Sequence, residues 1–351
     1  MCRSPLHPFL VALPKCEHHM HLEGSLSPQL LFTIAARNKI QLPSASDDQS
    51  FASAEALLDR YTNFTSLDDF LQYYFIGMSA LVYAQDFEEL AFEYFLRAKA
   101  DGVMHAEVFF DPQAHTGRGI RYTTVLEGFT DACKKAETQL GITTKLILCF
   151  LRHLPVAEAQ APFNEAKDDL MSGTLSGIGL DSSEKGNPPS AWREIYANAK
   201  SSKIRRTAHA GEEGPVEYIR EAIRELDVER IDHGFRLAED KELMREVAER
   251  RLLVTLCPLS NVRLRCVREV KELPVKTFLE AGVKFSINSD DPAYFGGYIQ
   301  DNYCAVQEAF DLSIAQWESI ARAAITGSWC DDNRKEAMSR ELETVLDRYI
   351  G

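Results

Sequence analysis

The chain has no C-x-x-C pair, no apolar run long enough to cross a membrane, and no internal repeat or low-complexity tract. Its eight cysteines (Cys2, Cys16, Cys133, Cys149, Cys257, Cys266, Cys304 and Cys330) are dispersed, which excludes a disulfide framework and fits a reducing cytosol. Four of them (Cys16, Cys149, Cys257 and Cys304) lie in apolar segments and read as small buried hydrophobes. Positive charge is in short supply, with 39 Lys and Arg against 53 Asp and Glu and a net charge of −14. That balance argues against nucleic-acid binding and against contact with anionic membranes. Pro5, His7, Pro8 and Pro14 break up the only stretch near the N-terminus that could serve as the apolar part of a signal peptide. The expectation is a soluble cytoplasmic protein, with passive nuclear entry compatible.

What the chain does have is regular alternation. Eight short apolar segments, at 14–19, 103–109, 144–151, 175–180, 204–209, 230–233, 252–257 and 283–288, alternate with helical patterns at 27–38, 122–140, 191–199, 215–226, 240–250, 273–281 and 301–310. Several of the short segments are apolar at nearly every position, as in strands covered on both faces. Eight such strands with helical crossovers predict a (β/α)8 TIM barrel as a single domain over 1–351, with an open doubly wound sheet as the alternative. About eighty residues separate the first two strands, too many for one crossover. Helical patterns there (54–67, 67–83, 87–100) predict a helical insertion over the barrel mouth, and 313–323 and 332–349 predict extra C-terminal helices.

Four strand tips carry possible metal ligands: His19-Met20-His21, His209-Ala210-Gly211-Glu212, Asp232-His233-Gly234 and Ser289-Asp290-Asp291. Residues i and i+2 of a strand point the same way, so His19 and His21 can face the axis together while His18 faces outward as a structural histidine. Catalysis in an α/β barrel sits on the C-terminal strand ends. Three imidazoles and one carboxylate suit zinc, whereas magnesium or calcium would favour an all-oxygen site. Asp290 and Asp291 can divide the work between metal and substrate. Glu212 reads either as a catalytic acid or as a carboxylate at a helix start.

In order along the chain, Pro14-Lys15-Cys16-Glu17-His18-His19-Met20-His21-Leu22-Glu23-Gly24-Ser25, His209-Ala210-Gly211-Glu212, Asp232-His233-Gly234 and Ser289-Asp290-Asp291-Pro292 resemble the adenosine and adenine deaminases of the amidohydrolase superfamily. The strings beginning at His105, Gly179 and Gly327 resemble the fungal-type adenine deaminase branch. The resemblance implies one zinc ion held by His19, His21, His209 and Asp290. It makes Glu212 the proton donor to purine N1, His233 the group that orients the attacking water, and Asp291 a partner of N7. The implied reaction is hydrolysis of adenine to hypoxanthine and ammonia in purine salvage.

Ser183 and Glu184, in the loop after the fourth strand, are expected at the substrate. Glu184 would lie near the N3/N9 edge and exclude ribose, unless it is simply a solvated loop acid. Glu23 stands where adenosine deaminases usually carry a shorter Asp associated with ribose, which is compatible with a base-only pocket. Only Lys185 and Arg118 are basic groups beside these motifs, so a nucleotide is disfavoured. The other readings are an adenosine or N6-substituted adenine deaminase, and an inactive purine-binding barrel. A cytidine-type deaminase is excluded because no P-C-x-x-C accompanies the two H-x-E strings. A two-metal hydrolase is disfavoured because the fourth strand ends in Asp181 rather than lysine. The partner is a small molecule, and the oligomeric state is left open.

Overall fold

In a computed structural model, which describes residues 3–350, eight parallel strands lie side by side in chain order. They are β1 (Lys15–Glu17), β2 (Val103–Phe110), β3 (Thr143–Leu151), β4 (Gly177–Asp181), β5 (Arg205–Ala210), β6 (Arg230–His233), β7 (Leu253–Leu256) and β8 (Lys284–Ile287). Each pairs in parallel with the next. The sheet closes just past the strand ends, where Asp290 N–H donates to His19 O (3.1 Å) and His21 N–H donates to Asp290 O (3.0 Å). Met20 and Asp290 form an isolated parallel bridge there. The expected (β/α)8 barrel is therefore the observed fold, and the same seam that closes it joins His19 and His21 to Asp290.

β1 is shorter than the expected 14–19, because past Glu17 the segment keeps only isolated bridges, His21 with Phe109 of β2 and Met20 with Asp290 at this seam. The long crossover folds as helices Ala54–Tyr61, Leu67–Met78 and Ala84–Ala100. Ser53 and Ser66 cap the first two, accepting from Ala56 N–H and Asp69 N–H at 3.1 Å each. Helix Leu67–Met78 lays Leu67, Phe70, Leu71 and Tyr74 against the cleft at the barrel mouth, as expected of the insertion. The closing helices are Ile314–Gly327 and Asp332–Ile350.

Inside the barrel, Phe109, Ile147 and Cys149 pack as their own apolar cluster with Trp329, which comes from the segment joining the last two helices. Cys16, Cys149 and Cys257 are buried as expected, whereas Cys304 is only partly buried.

Candidate active site

The expected ligands converge. One donor atom from each of His19, His21, His209 and Asp290 lies within 4.8 Å of the others, and all four residues are buried. His21 Nε2 is 3.2 Å from His209 Nε2 and 3.4 Å from Asp290 Oδ1, and His19 Nε2 is 3.2 Å from the same oxygen. His19 Nε2 has no aligned hydrogen-bond partner despite its burial, and an orphan of that kind needs a reason. A metal ion supplies one, and a set of three nitrogens and one oxygen is the donor chemistry of zinc.

The far nitrogens of the rings support the same reading. His19 Nδ1 meets Thr255 Oγ1 at 2.8 Å, His21 Nδ1 faces Asp181 Oδ2 at 3.6 Å, and His209 Nδ1 faces Asp232 Oδ2 at 3.7 Å. Such outer partners fix tautomer and ring orientation in metal-binding histidines. Asp232 is itself anchored by Thr207 (2.6 Å) and Thr255 (3.1 Å). The sequence reading named Asp181 and Asp232 only as strand-end residues and assigned neither a task. The available signal was an acidic residue at a strand tip, close to the expected ligands.

Three non-glycine residues around the cleft, Ser182, His233 and Asp290, hold φ values of 71°, 58° and 65°. Left-handed backbone costs energy for such residues and concentrates at functional sites. At Asp290 the turn points one carboxylate at the histidines. At Ser182 it brings that residue, rather than the expected Ser183, to the lining of the cleft. His18 is the outward structural histidine expected, bonded to Ser286 Oγ (3.1 Å) and Ser328 Oγ (2.8 Å).

Glu212 lines the cleft with His233, whose Nε2 is 3.5 Å from Glu212 Oε2 and 3.8 Å from Asp290 Oδ2. Burial first, then the charges of Asp290 and Glu184, push the Glu212 carboxyl well above the usual range, which favours its protonated form. Burial lowers His233 to about 3, which favours the neutral ring. Asp291, also in the cleft, is raised by burial and by Asp290. It rests directly on Gly24, where a Cβ would come within 2.0 Å of Asp291 Oδ1, so only glycine fits there.

The structure corrects the placement of Ser183 and Glu184. Neither is among the residues lining the cleft, and Glu184 is not a solvated acid either, being fully buried. Its carboxylate accepts from the backbone N–H groups of Gly211 (3.2 Å), Glu212 (3.3 Å) and Gly214 (2.6 Å). It folds under the loop that carries Glu212 and holds it, with Arg152 Nη1 at 4.0 Å behind. Three backbone donors satisfy the carboxylate better than the rim of the cleft could. Glu23 is also withdrawn: its Oε1 takes Asp111 N–H (3.1 Å) and lies 3.0 Å from His115 Nε2.

The sequence profile described as adenosine deaminase matches residues 14–345. The chain belongs to the adenosine deaminase family. This deaminase is 56% identical over 351 residues to a protein of Aspergillus fumigatus called adenine deaminase, covering 99% of both chains. Its fold matches the crystal structure of an adenine deaminase from Arthrobacter aurescens with a TM-score of 0.90 and 40% identity, over 95% of this chain and 99% of that one. An amidohydrolase from Burkholderia ambifaria, solved with bound Zn, gives a TM-score of 0.83 at 26% identity, over 99% and 97% of the two chains. The deaminase is a hydrolytic enzyme on a barrel whose strand tips gather histidine and aspartate side chains that could hold a metal ion.

Proposed function

We propose that the protein hydrolyses adenine to hypoxanthine and ammonia, using one zinc ion held by His19, His21, His209 and Asp290. The observation that carries the reading is the buried Glu212 carboxyl, 3.5 Å from His233 Nε2 and in the same cleft as the ligand cluster. Zinc bound there would supply a water that can attack as hydroxide near neutral pH.

The chain's own groups supply the rest. Glu212 donates its proton to purine N1, which draws electron density away from C6 and makes it a better electrophile. His233, neutral and facing both Glu212 and Asp290, accepts a hydrogen bond from the attacking water and holds it on the C6 face. N7 is an acceptor, so Asp291 must be protonated to bond it, and its raised pKa suits that role. Helix Leu67–Met78 covers the cleft with apolar side chains, which keeps bulk water away from the proton donors. Release of hypoxanthine and ammonia fits purine salvage.

Purified, zinc-loaded protein assayed by ultraviolet absorbance should turn over adenine strongly and adenosine and N6-methyladenine poorly. A preference for adenosine would discard the free-base reading. No turnover of the three, with zinc bound, would discard the assignment of a 6-aminopurine substrate.

A further inference from the structure

One wall of the cleft is not used by the chemistry above. Asp111, Asp181 and Tyr74 all line it, all are buried, and each has side-chain oxygens without a hydrogen-bond partner: Asp111 Oδ1, both oxygens of Asp181, and the Tyr74 hydroxyl. Asp111 is 2% exposed. It stands at the N-cap of helix Pro112–Thr116 but makes no capping bond with its side chain. An aspartate there ordinarily turns back onto the helix N–H groups. Here Glu23 takes the Asp111 N–H and fixes the backbone, and the side chain turns into the cleft. A buried carboxylate oxygen without a donor is costly unless a ligand supplies one.

Two kinds of ligand could do so, a second cation or a donor on the substrate. One donor atom from each of His21, Asp111 and Asp181 lies within 4.8 Å of the others, which is metal-like spacing. His21, however, already turns Nε2 toward His209 and Asp290, and its Nδ1 faces Asp181. With Nε2 on the first metal, Nδ1 carries the ring proton and faces Asp181 at 3.6 Å, so it is not a free ligand. Asp111 lies within hydrogen-bond reach of Asp181 and Tyr74, but its Oδ1 keeps no partner and is open to an N–H from the substrate. With N1 at Glu212 and N7 at Asp291, the remaining ring donor of free adenine is N9–H.

We propose that Asp111 accepts the N9–H of the free base and is the residue that makes the site select purine bases over purines substituted at N9. This rests on the adenine reading above and extends it. In place of the Glu184 mechanism, discrimination comes from a buried acceptor that a sugar or methyl group at N9 would leave unpaired and would crowd. A site built to bond a substrate N–H rejects an analogue lacking it far more strongly than an apolar pocket rejects extra bulk.

The test combines ligands and variants. In wild-type enzyme, 9-methylhypoxanthine should inhibit at least 100-fold more weakly than hypoxanthine; equal inhibition overturns the proposal whether or not any variant folds. Asp111→Ala should lower kcat/KM for adenine about 100-fold and narrow the ratio of the two inhibition constants at least tenfold. Asp111→Asn, whose carbonyl can still accept, should recover part of both. An equal loss of affinity for both inhibitors in Asp111→Ala would make Asp111 a merely structural residue and sink the assignment. So would two zinc ions per wild-type chain falling to one in the variant, which would mark a second cation site. Wild-type enzyme that turns over adenine with unchanged inhibitor ratios in Asp111→Ala refutes this inference alone. Wild-type enzyme with zinc but no adenine turnover refutes the reading beneath it as well.

Discussion

At the N-terminal end of the barrel, Glu107 has both carboxylate oxygens engaged. Oε1 pairs with His105 Nε2 (3.0 Å) and accepts the Trp329 N–H, while Oε2 meets the Arg230 guanidinium. Arg230 also donates to His18 O (3.1 Å) and lies over the Trp329 ring at 4.1 Å. At the C-terminal end, Asp111, Asp181 and Asp291 are buried almost as deeply and keep oxygens with no partner. Burial raises the carboxyl in both places, but Arg230 and His105 more than offset it at Glu107, which is held well below the usual range, while Asp111, Asp181 and Asp291 are raised. The two ends show that burial of charge does not mark a site. A buried acid whose bonds are complete holds the fold together, and one whose bonds are unfinished is waiting for a ligand.

The largest effect expected from breaking that contrast is at the unfinished end. Glu212→Gln keeps the shape and removes the acid, and should lower kcat for adenine by about 10²- to 10⁴-fold, the usual weight of a general acid. Metal analysis should still find one zinc per chain, because Glu212 is outside the ligand cluster, and the melting temperature should hold or rise. Loss of zinc in that variant would show that Glu212 is a ligand and not a donor. The opposite pattern is expected at the finished end. Glu107→Ala leaves Arg230 buried without its carboxylate and should cost about 3–5 kcal/mol in urea unfolding. Activity per folded, zinc-loaded chain should stay within about twofold. If activity falls while stability is kept, the two ends do not differ as described.

How much of this was legible beforehand follows from the range of each interaction. His19, His21, His209 and Asp290 were legible because strand periodicity and residue type are local, and the barrel then brings its strand tips together by topology. His18 was legible for the same reason, as the odd member of an alternating run. Ser182 and Glu184 were not. Which residue of a tight loop faces the cleft depends on one left-handed φ at Ser182. Glu184's partners, the N–H groups of Gly211, Glu212 and Gly214, are some thirty residues away in a different loop. Asp111 was hidden by convention, since an aspartate before Pro112 reads as a helix cap. Only the absence of the capping bond shows that its side chain has gone elsewhere.

The smallest expected effect sharpens what completion means at the N-terminal end. Lys15, at the start of β1, is fully buried and donates to Leu10 O (2.8 Å) and Leu13 O (3.1 Å), but it has no carboxylate of the kind Arg230 has. Burial lowers its pKa from 10.5 to about 7. Between those values the unfolded chain holds a proton that the folded chain has released, so this group's contribution to stability rises with pH and is lost as pH falls toward 7. The slope is at most about 1.4 kcal/mol per pH unit. Lys15→Met removes it while keeping a long apolar stem, so the stability of wild type relative to the variant should grow steadily in urea titrations at pH 7, 8 and 9. A difference that stays flat across that range would mean Lys15 remains charged when folded, with the Leu10 and Leu13 carbonyls completing a buried cation as effectively as Glu107 completes Arg230.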